Sequence, residues 1–223
     1  MTSKAQKVIL FANGDLPKPK YIADQISSDD FLVAVDGGLS HLCSLGLTPH
    51  LIIGDMDSVD EDQLQLYQNQ NVEVKKYPVE KDQNDLELAL QKALEMEPET
   101  IWIVAALGNR IDQTLANIFL LTREDLADID IHLIDGVRDV FLIRENAIII
   151  GVKGQRVSLI PINGPVNGIR TEGLKFPLKN ETLFPDKTRG ISNKIKDTEA
   201  KISIEDGLLL CIQDITNPTE RSS

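Results

Sequence analysis

The chain has 223 residues, enough for one large domain or two small ones and for a core that needs no disulfide or metal staple. Hydrophobic residues make up 42% and charged residues 26%, the net charge is −12, and aromatics are scarce at 4%. An acidic surface with few stacking platforms argues against nucleic acid as a partner, while a small anion stays possible because a bound cation inverts a local field.

The first two thirds alternate two patterns. Runs rich in Val and Ile at 8–12, 31–35, 51–53, 72–76, 101–105 and 131–134 are flanked by Gly, Asp or Pro and read as buried strands. Between them, 19–27, 39–45, 61–68, 85–96 and 112–121 carry apolar residues at helical spacing. The clearest case is Leu86, Leu88, Ala89, Leu90, Ala93 and Leu94. Strand alternating with helix predicts an α/β fold, a parallel, doubly wound sheet with right-handed crossovers. After about Asp139 the pattern changes. Short apolar runs at 141–144, 147–150, 157–160, 202–204 and 208–212 are divided by turn signals such as Asn163-Gly164, Asn167-Gly168 and Asp206-Gly207. This predicts a smaller all-β sandwich domain over residues 141–223, following an α/β domain over residues 1–140. The Ser-rich tail after Asn217 is expected to fray.

Cys43 and Cys211 form no metal-type cluster and read as thiols of a reducing compartment. No apolar run reaches the length of a signal-peptide core or a membrane span, so a cytoplasmic protein without membrane partners is expected.

The polar residues fall where they matter. In an open parallel sheet, ligands bind beyond the carboxyl ends of the strands. Here the strand ends carry Asn13-Gly14-Asp15, Asp36-Gly37-Gly38, Gly54-Asp55-Met56-Asp57-Ser58, Lys81-Asp82-Gln83-Asn84-Asp85 and Gly108-Asn109-Arg110-Ile111-Asp112. Asp55 and Asp57, two apart, project to one side of an extended segment and suit magnesium; alternatively Asp57 or Ser58 caps the next helix. Lys81 beside a helix start suits a polyphosphate, although Asp82 and Asn84 are equally good caps. The glycines after Asp36 permit a close approach to a ligand or simply a tight turn. Arg110 offers a fork for phosphate, Asp112 a cap or a ribose contact, and Asn117 a ligand contact or a surface amide. There is no G-x-x-x-x-G-K-[ST] loop and no G-x-G-x-x-G after the first strand, which disfavours a P-loop kinase and a dinucleotide dehydrogenase. His41, His50 and His132 sit in no metal or nucleophile arrangement and read as structural.

From Asp36-Gly37-Gly38 onward to Asn117, these motifs, in this order and together with Gly46-Leu47-Thr48-Pro49, resemble the thiamine pyrophosphokinase family. The likeness extends through Gly173-Leu174-Lys175-Phe176-Pro177-Leu178 and Gly190-Ile191-Ser192-Asn193, so it spans the whole chain. It implies a magnesium-dependent transfer of the diphosphate of ATP to the hydroxyl of thiamine, giving AMP and thiamine diphosphate, by a homodimer with active sites between subunits. It also implies that Asp55, Asp57 and Asp85 hold magnesium, with Asp36 and Asp82 close by and Lys81 sharing the catalytic work. Asn13, Asp36, Lys81, Arg110, Asp112 and Asn117 are then expected at ATP, and Ser192 and Asn193 at thiamine. The chain departs from the family pattern at Asn84, Asn109 and Gln113. The alternatives are a pyrophosphokinase acting on a pterin alcohol and a non-catalytic sensor of nucleotide or thiamine diphosphate.

Overall fold

The computed structural model describes residues 7–57, 59–78, 80, 82–108 and 110–215. Lys81, Ser58 and Asn109 of the sequence motifs, and the tail after Asn217, lie outside the described residues. The chain divides between Gly136 and Val137 into two units.

In the first unit, strands β1 (Lys7–Phe11), β2 (Phe31–Val35), β3 (Leu51–Gly54), β4 (Glu73–Lys76), β5 (Thr100–Val104) and β6 (Asp130–Ile134) alternate with helices. These are α1 (Pro19–Ala23), α2 (Leu39–Ser44), α3 (Glu61–Asn69), α4 (Asp85–Leu94) and α5 (Ile111–Leu120). All the strand pairs are parallel, in the order β4-β3-β2-β1-β5-β6, with Leu10 opposite Val33 on one side and Ile103 on the other. Strands covered on both faces need continuous apolar runs, and Val8, Ile9, Leu10 and Phe11 are all fully buried. Helix α4 buries Leu86, Leu88, Ala89, Leu90 and Ala93, while Asn84 caps it by accepting from the Glu87 amide at 2.8 Å. Asp60 does the same for α3 at 3.0 Å.

The second unit holds β7 (Arg138–Ile143), β8 (Asn146–Ile150), β9 (Arg156–Glu172), β10 (Lys179–Leu183), β11 (Asn193–Lys194), β12 (Glu199–Ser203) and β13 (Asp206–Asp214). The strands run in the order β7-β13-β9-β12-β8, with β10 and β11 also paired to β9, and every pairing is antiparallel. The sequence suggests turns at Asn163-Gly164 and Asn167-Gly168, but the structure spends both inside one strand. Asn163 (φ 62°), Gly164 (φ 146°) and Gly168 (φ 66°) bend β9 without ending it. Its first half therefore pairs with β13 and β11, and its second half with β10 and β12. The two layers enclose Ile143, Val157, Leu159, Val166, Ile169, Leu183, Ile202 and Leu209. No helix among the described residues is long and apolar enough to cross a membrane.

One close approach ties the first unit together. The short 3-10 turn Asp36–Gly38 after β2 lies against the end of β1, and a Cβ on Gly38 would sit 1.8 Å from the Phe11 carbonyl oxygen. Only glycine fits there. Gly38→Ala is expected to cost about 2 kcal/mol or more of stability, as overpacking against immovable backbone does; thermal unfolding of the variant measures it.

Candidate active site

The chain runs outward from β1 to β4 and then returns to β5 on the other side of β1. The carboxyl ends of β1 and β5 therefore mark the point where strand order reverses, where open α/β sheets form their binding crevice. A cleft of about 360 Å³ lies there, lined by Asn13 and Asp15 after β1, Asp36 after β2, Asn84 and Asp85 at the start of α4, and residues 105–108 after β5.

Main-chain pairing between β1 and β5 continues past the strand ends into this crevice. The Ala12 amide donates to the Val104 carbonyl at 2.8 Å, Gly14 to Ala105 at 2.7 Å and Asp15 to Leu107 at 3.2 Å. Ala105 takes a left-handed conformation (φ 56°), and a Cβ on Gly14 would lie 2.4 Å from the Ala105 oxygen. The crossing is thus closed to side chains in its middle, and Asn13 and Asp15 stand on its rim.

Beside the crevice three carboxylates converge. Ligand oxygens of Asp36, Asp55 and Asp57 lie within 4.8 Å of one another. Asp36 is itself left-handed (φ 49°), and the absence of a side chain on Gly54 lets the ends of β2 and β3 approach, since a Cβ there would be 3.0 Å from that of Asp36. The Asp55 carboxylate accepts from the Asp57 amide at 3.1 Å. Capping of α3, the alternative for Asp57, falls to Asp60. Oδ1 of Asp36 is shut off from solvent and has no hydrogen-bond partner. A buried carboxylate oxygen left unsatisfied costs about 1–3 kcal/mol or more, and mutual repulsion adds to it. A hard divalent cation with a taste for carboxylate oxygens removes both costs, so these residues fit magnesium. Asp85, expected in the metal set, is half-buried in the cleft wall, whereas Asp36 occupies the carboxylate cluster.

Helix α5 turns its polarity inside out. Arg110, Gln113, Thr114 and Asn117, at helical spacing, face the cleft. Asn117 is its one buried residue, and its Nδ2 donates to the Ala106 carbonyl at 2.8 Å. The Thr114 hydroxyl accepts from the Gly108 amide at 3.2 Å. Both side chains therefore hold the loop after β5. Ile111 (72% exposed), Leu115 (50%) and Phe119 (50%) point outward. Arg110 pairs with Asp112 through two bonds of 2.9 and 2.6 Å. Asp112 and Asp82 are exposed and line no part of the cleft. Asp15, part of a strand-end cluster but given no role by the motifs, and Thr114, outside them, also line the cleft; the i, i+3, i+4, i+7 polar stripe of α5 is the sequence signal for Thr114.

In the second unit, Ser192 is exposed with a left-handed backbone (φ 59°), and its amide donates to the Ser158 hydroxyl at 3.0 Å. Asn193 is only 4% exposed. Its amide grips the Phe176 main chain from both sides, accepting from the nitrogen at 3.0 Å and donating to the oxygen at 2.7 Å. The Phe176 ring so presented is 53% exposed, with the Lys175 ammonium 5.3 Å from its centroid.

A parallel α/β unit with an acidic crevice at its switch point, followed by an antiparallel β unit, describes a two-part α/β protein built to take a small ligand. Two family models match it: thiamin pyrophosphokinase, catalytic domain, over residues 22–133, and thiamin pyrophosphokinase, vitamin B1 binding domain, over residues 143–209. The chain belongs to the thiamin pyrophosphokinase family. It is 32% identical over 183 residues to the thiamine pyrophosphokinase of Bacillus subtilis, covering 81% of this chain and 86% of that one. The crystal structure of a Bacillus subtilis thiamine pyrophosphokinase superposes with a TM-score of 0.85 at 27% identity, over 95% of this chain and all of that one. A Geobacillus thermodenitrificans thiamin pyrophosphokinase gives 0.81 at 27% identity, over 95% and 99% of the two chains.

The Arg110–Asp112 pair carries a measurable signature. The guanidinium holds the Asp112 carboxyl at about 2, below its ordinary 3.8, with the Gln113 amide assisting. A depressed carboxyl stabilises above its unfolded value and loses that contribution as pH falls from about 4 toward 2. A carboxyl-detected NMR titration is expected to place Asp112 near the lower value in the native chain and back in the ordinary range in Arg110→Gln.

Proposed function

We propose that the chain transfers the diphosphate of ATP to the hydroxyl of thiamine, releasing AMP, with magnesium at the Asp36, Asp55 and Asp57 carboxylates. The observation that carries this reading is the unpartnered, buried Oδ1 of Asp36 in a carboxylate cluster bordering the switch-point crevice. The hydroxyl oxygen attacks the β-phosphorus, the bond from that phosphorus to the α-phosphate oxygen breaks, and the hydroxyl proton leaves to Asp85, the carboxylate on the cleft wall. Bound magnesium supplies charge neutralisation for the polyphosphate. The chain's own part is positioning and electrostatics. Arg110, on the cleft wall, exchanges Asp112 for phosphate, two similar bidentate partners. Asn13 and the loop held by Asn117 border the nucleotide, Lys81 contacts the phosphates, and Asp85 completes the acidic wall next to the metal.

Thiamine falls to the second unit in this reading. Ser192 offers its hydroxyl, while Asn193, whose amide is engaged internally, contributes by presenting the Phe176 ring to a heteroaromatic partner. The outward apolar stripe Ile111, Leu115 and Phe119 supports a homodimer with active sites at the subunit interface, since three large apolar side chains in one row call for a cover. The free thiols Cys43 and Cys211 support a cytoplasmic setting.

The deciding experiment measures AMP release and thiamine diphosphate by mass, with each of ATP, magnesium and thiamine omitted in turn. Both products are expected only when all three are present. Turnover with a pterin alcohol instead, or ATP binding without any AMP, overturns the assignment. Asp57→Ala is expected to lower kcat at least a hundredfold, about 2.7 kcal/mol of transition-state stabilisation, with an unchanged unfolding midpoint; near-normal turnover removes the metal assignment. Leu115→Glu is expected to weaken the dimer by at least about a hundredfold, read by light scattering across a dilution series.

A further inference from the structure

We infer that His41 is a positioning residue for the nucleotide, acting through the turn after β1. Its Nε2 lies 2.9 Å from the Gly14 carbonyl oxygen. A carbonyl only accepts, so this nitrogen carries the proton and the imidazole donates. The Gly14 amide is meanwhile donated to Ala105 at 2.7 Å, so both polar groups of Gly14 are held, one from α2 and one from β5. The helix that carries His41 is itself fixed, by buried Leu39 and Leu42 and by the Ser40 hydroxyl donating to the Gly37 carbonyl at 2.8 Å. Gly37 in turn backs onto Asn13, whose Nδ2 would lie 2.4 Å from a Cβ at that position. His41 thereby couples the segment that begins with Asp36 to the turn whose two flanking residues, Asn13 and Asp15, form the cleft rim.

Neither the sequence motifs nor the carboxylate cluster requires a histidine here, and its half-buried ring bonds to Gly14, a position assigned to no substrate. Its effect falls on how firmly the rim is held. Removing the donor leaves the Gly14 carbonyl without it and loosens the rim on the ATP side, while the thiamine side is untouched. This inference rests on the reading of that crevice as the ATP site.

The test compares His41→Leu, which keeps bulk without a donor, with His41→Gln, which keeps an N–H at similar reach. His41→Leu is expected to raise the KM for ATP about tenfold while the KM for thiamine stays within about twofold, and His41→Gln to restore the ATP value to within about threefold. Equal rises for both substrates, no rise at all, or a Gln variant as impaired as Leu overturns the inference. If His41→Leu does not fold, imidazole NMR of the unaltered chain decides. An Nε2–H tautomer whose resonances move with magnesium ATP and not with thiamine supports the inference, and an Nδ1–H tautomer or unmoved resonances overturn it. Absence of AMP from the unaltered chain condemns the ATP reading itself, whereas normal AMP release with unaffected variants condemns only the role of His41.

Discussion

The structure depends on the main-chain pairing that continues beyond the ends of β1 and β5. Strand order reverses between these two neighbours, so the chain leaving β1 and the chain leaving β5 depart in opposite directions. A reversal of this kind opens a crevice whatever the side chains are. Its shape here comes from three further bonds, Ala12 to Val104, Gly14 to Ala105 and Asp15 to Leu107, which keep the two chains together after regular pairing has ended. That continuation demands a residue without a side chain at Gly14 and a left-handed one at Ala105. Left-handed backbone outside glycine costs about 1 kcal/mol or more, and Asp36 and Met56 also bear it at the neighbouring strand ends. Strain of this sort persists where surrounding packing over-determines it, and it gathers at sites that must hold a ligand's geometry.

Electrostatics follows from that geometry. A chain of net charge −12 with carboxylates massed at the crevice repels a polyanion unless a cation intervenes. The buried oxygen of Asp36 shows that the fold tolerates an acidic group it does not itself satisfy. Helix α5 makes the complementary point with dipoles and apolar surface. Its polar stripe is spent on the cleft and its apolar stripe on the outside, the reverse of a helix that simply covers a sheet.

Much of this was legible in the sequence. Six apolar runs with helical stretches between them fix the parallel unit, because strands buried on both faces leave no room for alternation, and α4 announces itself through its cap and five buried apolar positions. The polar strand ends also gave the crevice. Three things were hidden, each for a physical reason. Periodicity gives a helix its stripe but not the side on which the sheet lies, so the inversion of α5 could not be read. Asn-Gly pairs signal positive φ, which a hairpin and a bent strand use equally, so the sequence pattern stops β9 before Asn163. The grouping of Asp36 with Asp55 and Asp57 arises between two neighbouring strand ends; spacing along one segment is blind to it, and only the family resemblance brings Asp36 close to the metal carboxylates.

The fate of the polar motif residues points to how such a site is made. Asn117 and Asn193 invite reading as ligand contacts and His41 as merely structural, yet each donates to a main-chain carbonyl: Ala106, Phe176 and Gly14. A loop beyond a strand end has lost its ladder partners, and its peptide groups must find others or fluctuate. A side-chain donor from a packed element supplies the partner and fixes the loop with it. An Asn amide has donors and acceptors left after one such bond, so Asn117 can hold Ala106 and still face the cleft. Asn193, with both its oxygen and its nitrogen engaged, is spent on Phe176. On this account the groups that meet the ligand are largely loop backbone and the rim residues it carries, and the motif amides decide how steadily they stand.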